Sequence, residues 1–231
     1  MNDLKLLARE AAIKYGLDPR LICALCEVES SWIPWAVRHE AGYEWLVGFK
    51  RGYSGTGKMN LLDACDRWYV VSETERYAGF DCAKLQTELL MQQTSWGLMQ
   101  IMGAVARERG FDSWLTELCD PTVNLEWGCR HLRWMIDHAD DYGIEMIGSS
   151  PGAMGQHTPA AVYQSYDPSL SDLAAAWNGG KAQRISCPKC AGSGDKSKQV
   201  YVECKYCHGT GRAYENQAYV DKVLKAMEAY Q

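Results

Sequence analysis

The sequence is poor in phenylalanine, with three Phe among 231 residues against nine Trp and 13 Tyr. Most of its aromatic rings therefore carry an N–H or O–H group and can contact a polar ligand as well as a core. Long apolar runs are also lacking, since none approaches the ~20 residues that span a bilayer. The first residues, MNDLKLLARE, lack the apolar core of a secretory signal peptide. A net charge of −5 argues against nucleic-acid binding by the chain as a whole.

Cysteine, by contrast, is abundant, with ten residues in a chain that shows no export signal. Four of them form a repeated Cys-x-x-Cys-x-Gly-x-Gly pattern, which begins at Cys187 and again at Cys204. Each pair lets two sulfurs reach one ion, and four converging thiolates are a ligand set of structural Zn²⁺. We therefore predict one zinc ion held by Cys187, Cys190, Cys204 and Cys207, with two surface disulfides as the alternative.

These cysteines define a segment at 184–213, which we call the four-cysteine insert. Residues 181–214 contain seven Lys or Arg and two acids, so this part of the chain is basic while the remainder is acidic. The insert could contact an anionic polymer, although a solvated basic surface is the simpler explanation. The six other cysteines show no metal motif, and we expect them to be mainly buried thiols, with disulfide formation by Cys119 and Cys129 after release from the cell as an alternative.

The rest of the chain predicts a mainly α-helical fold, because Asp18-Pro19 and Asp120-Pro121 are typical helix starts and are followed by apolar residues at helical spacing. Further helices are predicted at 3–15, 60–71, 82–93, 101–109 and 112–119. Another is predicted to begin at Ser171 or Asp172 and to end at Gly179-Gly180. The last helix is predicted at 214–230, with four side chains directed inward: Tyr219, Val223, Leu224 and Met227. Strand signals are scarce outside the four-cysteine insert. The predicted organisation is a helical domain at 1–183 with insertions at about 45–80 and 143–168, the insert, and a final helix at 214–231.

Glu29 lies at the end of the first Asp-Pro helix, in the string CEVESSW. A carboxyl there is close to apolar neighbours and to the negative end of a helix, and both raise its pKa. A raised pKa is what a general acid needs near neutral pH. Most Glu residues at helix ends are simply solvated, so this position needs further support.

Three later motifs supply that support. They are Ser95-Trp-Gly-Leu-Met-Gln100, Ala175-Ala-Trp-Asn-Gly179 and a late tyrosine, Tyr219. Together with Glu29-Ser30, and in this order, they resemble the motifs of the soluble lytic transglycosylases, relatives of goose-type lysozyme. The resemblance covers roughly residues 3–180 and 214–230 and implies a lysozyme-like fold.

Longer strings resemble phage and prophage members of the same superfamily. They are ESSWIPWAVR from Glu29, EAGY from Glu40 and TSWGLMQIMG from Thr94. This resemblance implies an endolysin or a virion component, made in the host cytoplasm, that acts on peptidoglycan without membrane insertion. The cysteine pattern resembles half of the zinc region of DnaJ chaperones, although the chain has no His-Pro-Asp tripeptide.

The resemblance implies cleavage of the MurNAc–GlcNAc β-1,4 bond without water as the nucleophile. Glu29 protonates the leaving oxygen as an oxocarbenium-like centre develops, and the acetamido oxygen of the substrate could stabilise that centre. The Glu29 carboxylate then takes the proton of the MurNAc C6 hydroxyl, which closes a 1,6-anhydro ring. No cofactor takes part in this chemistry, and the zinc ion is expected to be structural.

The resemblance also suggests which residues contact the substrate. Ser95, Gln100 and Asn178 are candidates for polar contacts with the acetamido group or with Glu29, and Met99 and Tyr219 for walls of the cleft. Trp177 stands where the family usually has Tyr, so an indole that only donates replaces a hydroxyl. Packing between helices is an equal alternative for Trp177.

Tyr43 and Glu40 complete the candidate site. Tyr43 belongs to a group of aromatic residues near these motifs, and such rings stack on the C–H faces of sugars. If Glu40 held a water about 6.5–9.5 Å from Glu29, the enzyme could hydrolyse with inversion. A structural salt bridge of Glu40 with Arg38 or Arg130 is the favoured alternative.

Two other functions are also compatible with the sequence. One is a hydrolytic muramidase on the same fold, and the other is an inactive, zinc-dependent wall-binding or assembly protein. The presence of Glu29 argues against the second, because a decayed site should lose that carboxyl readily. The four-cysteine insert could bind the cell wall or a protein partner, whereas nucleic acid is not expected as a ligand.

Overall fold

The computed structural model describes residues 2–43, 45–47, 56–58, 82–147, 167–192, 204–207, 210 and 212–230. The chain divides into two units, Met1–His131 and Leu132–Gln231. The predicted helix at 60–71 and most of the predicted insertions at 45–80 and 143–168 lie outside the described residues. Among the described residues, no helix has both the length and the apolar character needed to span a bilayer.

The first unit combines helices with a small antiparallel sheet. Its helices are α1 (Asn2–Lys14), α2 (Pro19–Ser30), α3 (Cys82–Gln92), α4 (Gly103–Glu108) and the first part of α5 (Pro121–Asp137), with a 3₁₀ helix at Leu115–Cys119. Its strands are β1 (Val37–His39), β2 (Trp45–Val47), β3 (Thr56–Lys58), β4 (Thr94–Trp96) and β5 (Ile101–Met102). Strand β4 lies between β1 and β5, while β2 pairs with β3.

Helix α2, which carries Glu29, begins at Asp18-Pro19 as predicted. The Asp18 carboxylate accepts the backbone N–H of Arg20 at 2.8 Å, and Pro19 occupies the first turn, where its missing N–H costs nothing. Every residue from Leu21 to Cys26 is fully buried. The middle of α2 therefore lies in the core, and Glu29 lies near the end of this well-packed helix.

Helix α5 begins at Asp120-Pro121, also as predicted. Oδ1 of Asp120 accepts the backbone N–H groups of Thr122 at 2.9 Å and Val123 at 3.1 Å. The predicted apolar face of this helix is confirmed, because the following side chains are all buried: Leu125, Cys129, Leu132, Met135 and Ile136.

The second unit contains the end of α5, the four cysteines and a smaller set of elements. These are α6 (Ala139–Tyr142), β6 (Met146–Ile147), β7 (Asp167–Pro168), α7 (Leu170–Gly179), β8 (Arg184–Ser186), β9 (Arg212–Tyr214), α8 (Gln217–Met227) and a 3₁₀ helix at Glu228–Tyr230. Helix α7 packs against α8, and β8 pairs with β9 so that Arg184 lies opposite Tyr214. The β8–β9 pair therefore joins the two chain segments that flank the cysteines.

The predictions for two helices of the second unit are wrong in detail. Ser169 caps α7, because its Oγ accepts the N–H of Asp172, in place of the predicted start at Ser171 or Asp172. The last helix begins at Gln217 rather than 214, since the preceding residues form β9. Leu224 is 37% exposed instead of inward, and Val220 occupies the core of that face.

The sheet of the first unit is not predicted by the sequence. Strands β1, β4 and β5 contain two or three residues each, too few for an alternating pattern to appear. Ile101 and Met102, expected to begin a helix, pair with β4 instead, and α4 begins at Gly103. The mainly α-helical class is confirmed, with small sheets added to it.

His131, in α5, accepts a hydrogen bond from a positively charged side chain. Nε of the buried Arg109 donates to Nδ1 of His131 at 3.2 Å, so the ring is neutral with its proton on Nε2. Burial, and then the charge of Arg109, lower the pKa of His131 to about 3. An unfolded chain has a histidine pKa of about 6.5.

This histidine makes the folded chain less stable as the pH falls. Between about pH 6.5 and pH 3 the unfolded state binds a proton that the folded state does not, so the free energy of unfolding falls by up to about 1.4 kcal/mol per pH unit. His131→Gln keeps an acceptor for Arg109 but cannot titrate. In urea unfolding at pH 7 and pH 5, the variant is expected to lose about 2 kcal/mol less stability than the parent. Equal losses in both proteins would contradict this assignment.

Candidate active site and metal centre

Glu29 is the last residue but one of α2 and is half-buried. The next residue, Ser30, is buried and its Oγ lies 2.9 Å from the carbonyl oxygen of Cys26 and 2.8 Å from that of Leu98. The first contact is within the helix, whereas the second reaches the turn between β4 and β5. The end of the Glu29 helix is thereby attached to the segment Thr94–Met102, which we call the β4–β5 hairpin.

The chain turns sharply after Glu29 through two residues in the left-handed region. Ser31 has φ 52° and Trp32 has φ 64°. The N–H of Ser31 donates to the carbonyl of Glu27 at 3.0 Å, and that of Trp32 to Cys26 at 3.2 Å, so these bonds satisfy the last carbonyls of α2. This conformation costs a non-glycine residue about 1–2 kcal/mol. Such strain is concentrated at functional sites, where the surrounding contacts maintain it.

Ser95 and Gln100, both predicted substrate contacts, lie together in the β4–β5 hairpin. Oγ of Ser95 is 3.0 Å from Oε1 of Gln100 and 3.2 Å from the carbonyl of Arg38. Nε2 of Gln100 donates to the carbonyls of Ala36 at 2.9 Å and Gly97 at 2.8 Å. The polar groups of both residues therefore hold the hairpin against the segment that follows α2.

The turn of the hairpin depends on Gly97 and on a buried amide beneath it. Gly97 has φ 69°, and a Cβ there would lie 2.3 Å from Nδ2 of Asn124 and from the carbonyl of Leu118. The fully buried Asn124 accepts the N–H of Met99 at 2.8 Å and donates to the carbonyls of Trp96 at 2.7 Å and Leu118 at 2.8 Å. Sequence reasoning missed Asn124, because nothing in the sequence marks a buried polar residue inside a helix.

Met99, predicted as a wall of the cleft, is fully buried. A Cβ added to Gly128 would lie 2.3 Å from its sulfur, so the Met99 side chain packs directly over the glycine in α5. In this structure Met99 supports the hairpin from the core side, and its contact with a ligand stays a prediction.

Glu40 and Tyr43 lie where the chain leaves β1. A carboxylate oxygen of Glu40 is 2.5 Å from Nε of Arg38, which is the ion pair anticipated as its structural role. The N–H of Glu40 donates to the carbonyl of Gln93 at 2.7 Å, and Nε2 of Gln93 donates to the carbonyl of Tyr43 at 2.9 Å. The backbone of this turn is thus fixed to the end of α3, and the side-chain roles of both residues stay predictions.

Trp177, Asn178 and Tyr219 belong to the second unit. Trp177 is half-buried and Asn178 is exposed at the end of α7, which stops at Gly180 with φ 72°. Asn216, just before α8, donates from Nδ2 to Oδ1 of Asn178 and to the carbonyl of Ala175, both at 3.0 Å. Tyr219 is half-buried in the first turn of α8.

A fully buried carboxylate, Asp172, lies near the other end of α7 and was also missed. Its oxygens accept Nη2 of Arg184 at 2.9 and 3.1 Å, the hydroxyl of Tyr214 at 2.5 Å and the N–H of Glu145 at 2.9 Å. Removal from water, and then the hydrogen bond to Asp172, raise the pKa of Tyr214. These partners are distant in the sequence, so no local sequence pattern predicts the cluster.

The four predicted cysteine ligands converge in the second unit. Their sulfurs all lie within 4.8 Å of one another, with 3.8 Å between Cys187 and Cys204 and 3.7 Å between Cys190 and Cys207. A disulfide requires ~2.05 Å, whereas a tetrahedral zinc ion with Zn–S bonds of about 2.3 Å separates its sulfurs by about 3.8 Å. These four residues could therefore hold a metal ion, and the spacing fits tetrahedral thiolate coordination.

Other cysteines of the described residues form a reduced interior, as expected. Cys23, Cys26 and Cys129 are fully buried and Cys119 is partly buried, and none of them is in a disulfide. Burial raises the pKa of Cys26 well above its usual value and that of Cys129 to about 12. These thiols therefore stay protonated and behave as small apolar groups.

The described chain is a mainly α-helical domain with small sheets, of the lysozyme-like class. The model of the transglycosylase SLT domain family matches residues 7–200, most of the chain, and the protein belongs to that family. It is accordingly a peptidoglycan lytic transglycosylase. Searches of curated proteins and of solved structures return no match.

The sulfur geometry predicts one bound metal ion per chain. Cys204→Ser removes one of the four thiolates and is expected to reduce the bound metal to well below one equivalent. Cys119→Ser changes a partly buried thiol outside the cluster and serves as the matched control. The measurement is elemental analysis of protein purified under reducing conditions. A parent protein without stoichiometric metal, or equal metal in both variants, would contradict the prediction.

Proposed function

We propose that Glu29 is the single catalytic carboxyl of this lytic transglycosylase, acting first as general acid and then as general base. The observation that carries the proposal is the position of Glu29, half-buried at the end of a core helix whose last residue is hydrogen-bonded to the β4–β5 hairpin. A half-buried carboxyl on a well-packed helix is held in a defined position, as general acid–base catalysis requires.

In the first step the Glu29 proton passes to the oxygen of the scissile glycosidic bond, between MurNAc and GlcNAc. The bond from MurNAc C1 to that oxygen breaks, and its electron pair stays with the leaving GlcNAc oxygen. Positive charge then develops at C1 and the ring oxygen, where the acetamido oxygen of MurNAc stabilises it.

In the second step Glu29, now a carboxylate, accepts the proton of the MurNAc C6 hydroxyl. The C6 oxygen bonds to C1 and closes the 1,6-anhydro ring, so the proton balance of the enzyme is restored without consuming water. One carboxyl serves both steps, and a second catalytic carboxylate is not required.

Asn178 is the strongest candidate for contact with the acetamido group. It is exposed at the end of α7, and Asn216 occupies its Oδ1, which directs the Nδ2 donor to another partner. Ser95 and Gln100 instead support the site, since their polar groups hold the hairpin next to the Glu29 helix. We keep Trp177, Tyr219 and Tyr43 as candidate walls for the sugar rings.

Hydrolysis with Glu40 as a base is the competing mechanism. Its ion pair with Arg38 favours a structural role, because the pair links the turn after β1 to the strand itself. We therefore propose that Glu40 stabilises this turn and takes no part in proton transfer.

We propose that the metal of the four-cysteine insert is Zn²⁺ and that it is structural. Four thiolate ligands complete a tetrahedral shell and leave no position for substrate or water. A segment of about 30 residues cannot fold on an apolar core alone, so metal binding would supply its stability. The metal analysis described above is expected to find zinc.

We also propose that the enzyme comes from a phage and degrades the wall at lysis or during entry. The support is the similarity of the strings that begin at Glu29, Glu40 and Thr94 to those of phage and prophage members.

Glu29→Gln keeps the size of the side chain but removes the acid. Because general acid–base catalysis is worth about 10²–10⁴-fold, clearance of purified sacculi is expected to slow by at least about a hundredfold. Glu27→Gln, in the same helix and exposed, is the matched control and should retain activity. Equal rates for Glu29→Gln and the parent would contradict the proposed mechanism.

Mass spectrometry of the muropeptides distinguishes the two mechanisms. The parent and Glu40→Gln are both expected to give 1,6-anhydroMurNAc ends, at rates within about threefold of each other, because loss of an exposed ion pair costs little. Reducing MurNAc ends from the parent, with activity abolished in Glu40→Gln, would instead support an inverting muramidase.

A further inference from the structure

Residues on both sides of the four cysteines form hydrogen bonds with helix α7 near each of its ends. At the beginning of α7, Asp172 is fully buried and accepts hydrogen bonds from Arg184 in β8 and Tyr214 in β9. Arg184 also reaches Glu145, at 3.1 Å. Since β8 begins the four-cysteine insert and β9 lies at its end, the base of the insert and the start of α7 share one ionic cluster around the buried Asp172.

The end of α7 is held by Asn216, which follows β9 closely. Its Nδ2 is 3.0 Å from the carbonyl of Ala175 and 3.0 Å from Oδ1 of Asn178. A Cβ on Gly179 would lie 3.4 Å from the same nitrogen, an ordinary van der Waals contact, so Asn216 packs directly beside this glycine.

These contacts determine which way both amides face. A backbone carbonyl only accepts, so the group of Asn216 that faces Ala175 must be its NH₂. The same NH₂ faces Asn178, and the group of Asn178 directed at Asn216 must therefore be its oxygen. The NH₂ of Asn178 is left on the other side of the amide, in an exposed position where it can donate to an acceptor such as an acetamido carbonyl.

The position of Asn216 depends in turn on the cysteine cluster. Ala213 in β9 is buried against Cys187, Cys204 and Cys207. Cys187 directly follows β8, whose Arg184 lies opposite Tyr214. A metal ion that joins the four sulfurs therefore keeps the β8–β9 pair closed, and this pair leads directly into Asn216.

We propose that Asn216 is a positioning residue for Asn178 and that the metal-bound four-cysteine insert serves the reaction by keeping Asn216 in place. The insert thus acts on catalysis through α7, in addition to any contact of its own surface with the wall. This inference rests on the proposed function, in which Asn178 contacts the acetamido group.

Asn216→Asp tests the positioning role with almost no change in size. The new carboxylate cannot donate to Ala175 or to Oδ1 of Asn178, and it attracts the NH₂ of Asn178, which turns the wrong group to the substrate. We expect kcat on soluble glycan to fall about tenfold, with KM within about twofold, bound metal unchanged and Tm close to the parent. Glu215→Gln, the exposed neighbour, is the control and should match the parent in all four measurements.

A double-mutant cycle separates this role from a merely structural one. In an Asn178→Ala background Asn216 has no amide left to position, so Asn216→Asp should cause no further loss of kcat. An unchanged kcat in the single variant, or the same tenfold loss in the Asn178→Ala background, would overturn the proposal.

The unmodified protein provides a second test that does not depend on activity. In ¹⁵N-labelled protein the side-chain amide signals of Asn178 and Asn216 should shift when a chelator removes the metal and return when zinc is added. The Asn124 amide, in the first unit, should not move. An Asn178 signal that is unaffected by metal removal would overturn the link to the insert.

Failure of this inference is distinguishable from failure of the proposed function. If Glu29→Gln is inactive while Asn216→Asp behaves as the parent, the catalytic assignment stands and the positioning role is wrong. If Glu29→Gln is fully active, the proposed function itself is wrong.

Discussion

The hydrogen bond between Ser30 and the carbonyl of Leu98 joins the two elements on which the proposed chemistry depends. One is the end of a core helix that carries Glu29, and the other is the β4–β5 hairpin. Two left-handed residues after the helix, Ser31 and Trp32, let the chain turn back at once toward β1, where Ala36 accepts bonds from the hairpin. The strain of that turn is maintained because buried contacts hold the chain on both sides of it.

In the second unit, the ends of helix α7 are held in place by a different set of interactions. Helix α7 is short and rich in alanine, so its own side chains supply little to fix its ends. A buried carboxylate, Asp172, and a neutral amide, Asn216, hold it to the strands that flank the four cysteines. Sulfur–metal bonds would then stabilise a region that has a small apolar core.

The parts predicted from the sequence are those with a local cause. Asp18-Pro19 and Asp120-Pro121 begin helices because cap and proline are adjacent in sequence, and the cysteine spacing predicts the sulfur cluster because each pair lies in one turn. The missed parts depend on partners far along the chain. Strands of two or three residues show no periodicity, and the buried groups of Asn124 and Asp172 are recognisable only once their partners surround them.

In the proposed mechanism one carboxyl cleaves the glycan without water as a nucleophile. Digestion of sacculi in H₂¹⁸O, followed by mass spectrometry of the released muropeptides, tests it most directly. Anhydro ends that contain no ¹⁸O are expected, because the oxygen that bonds to MurNAc C1 comes from its own C6 hydroxyl. One ¹⁸O at C1 of each new MurNAc end would contradict this mechanism and would identify the enzyme as a hydrolase.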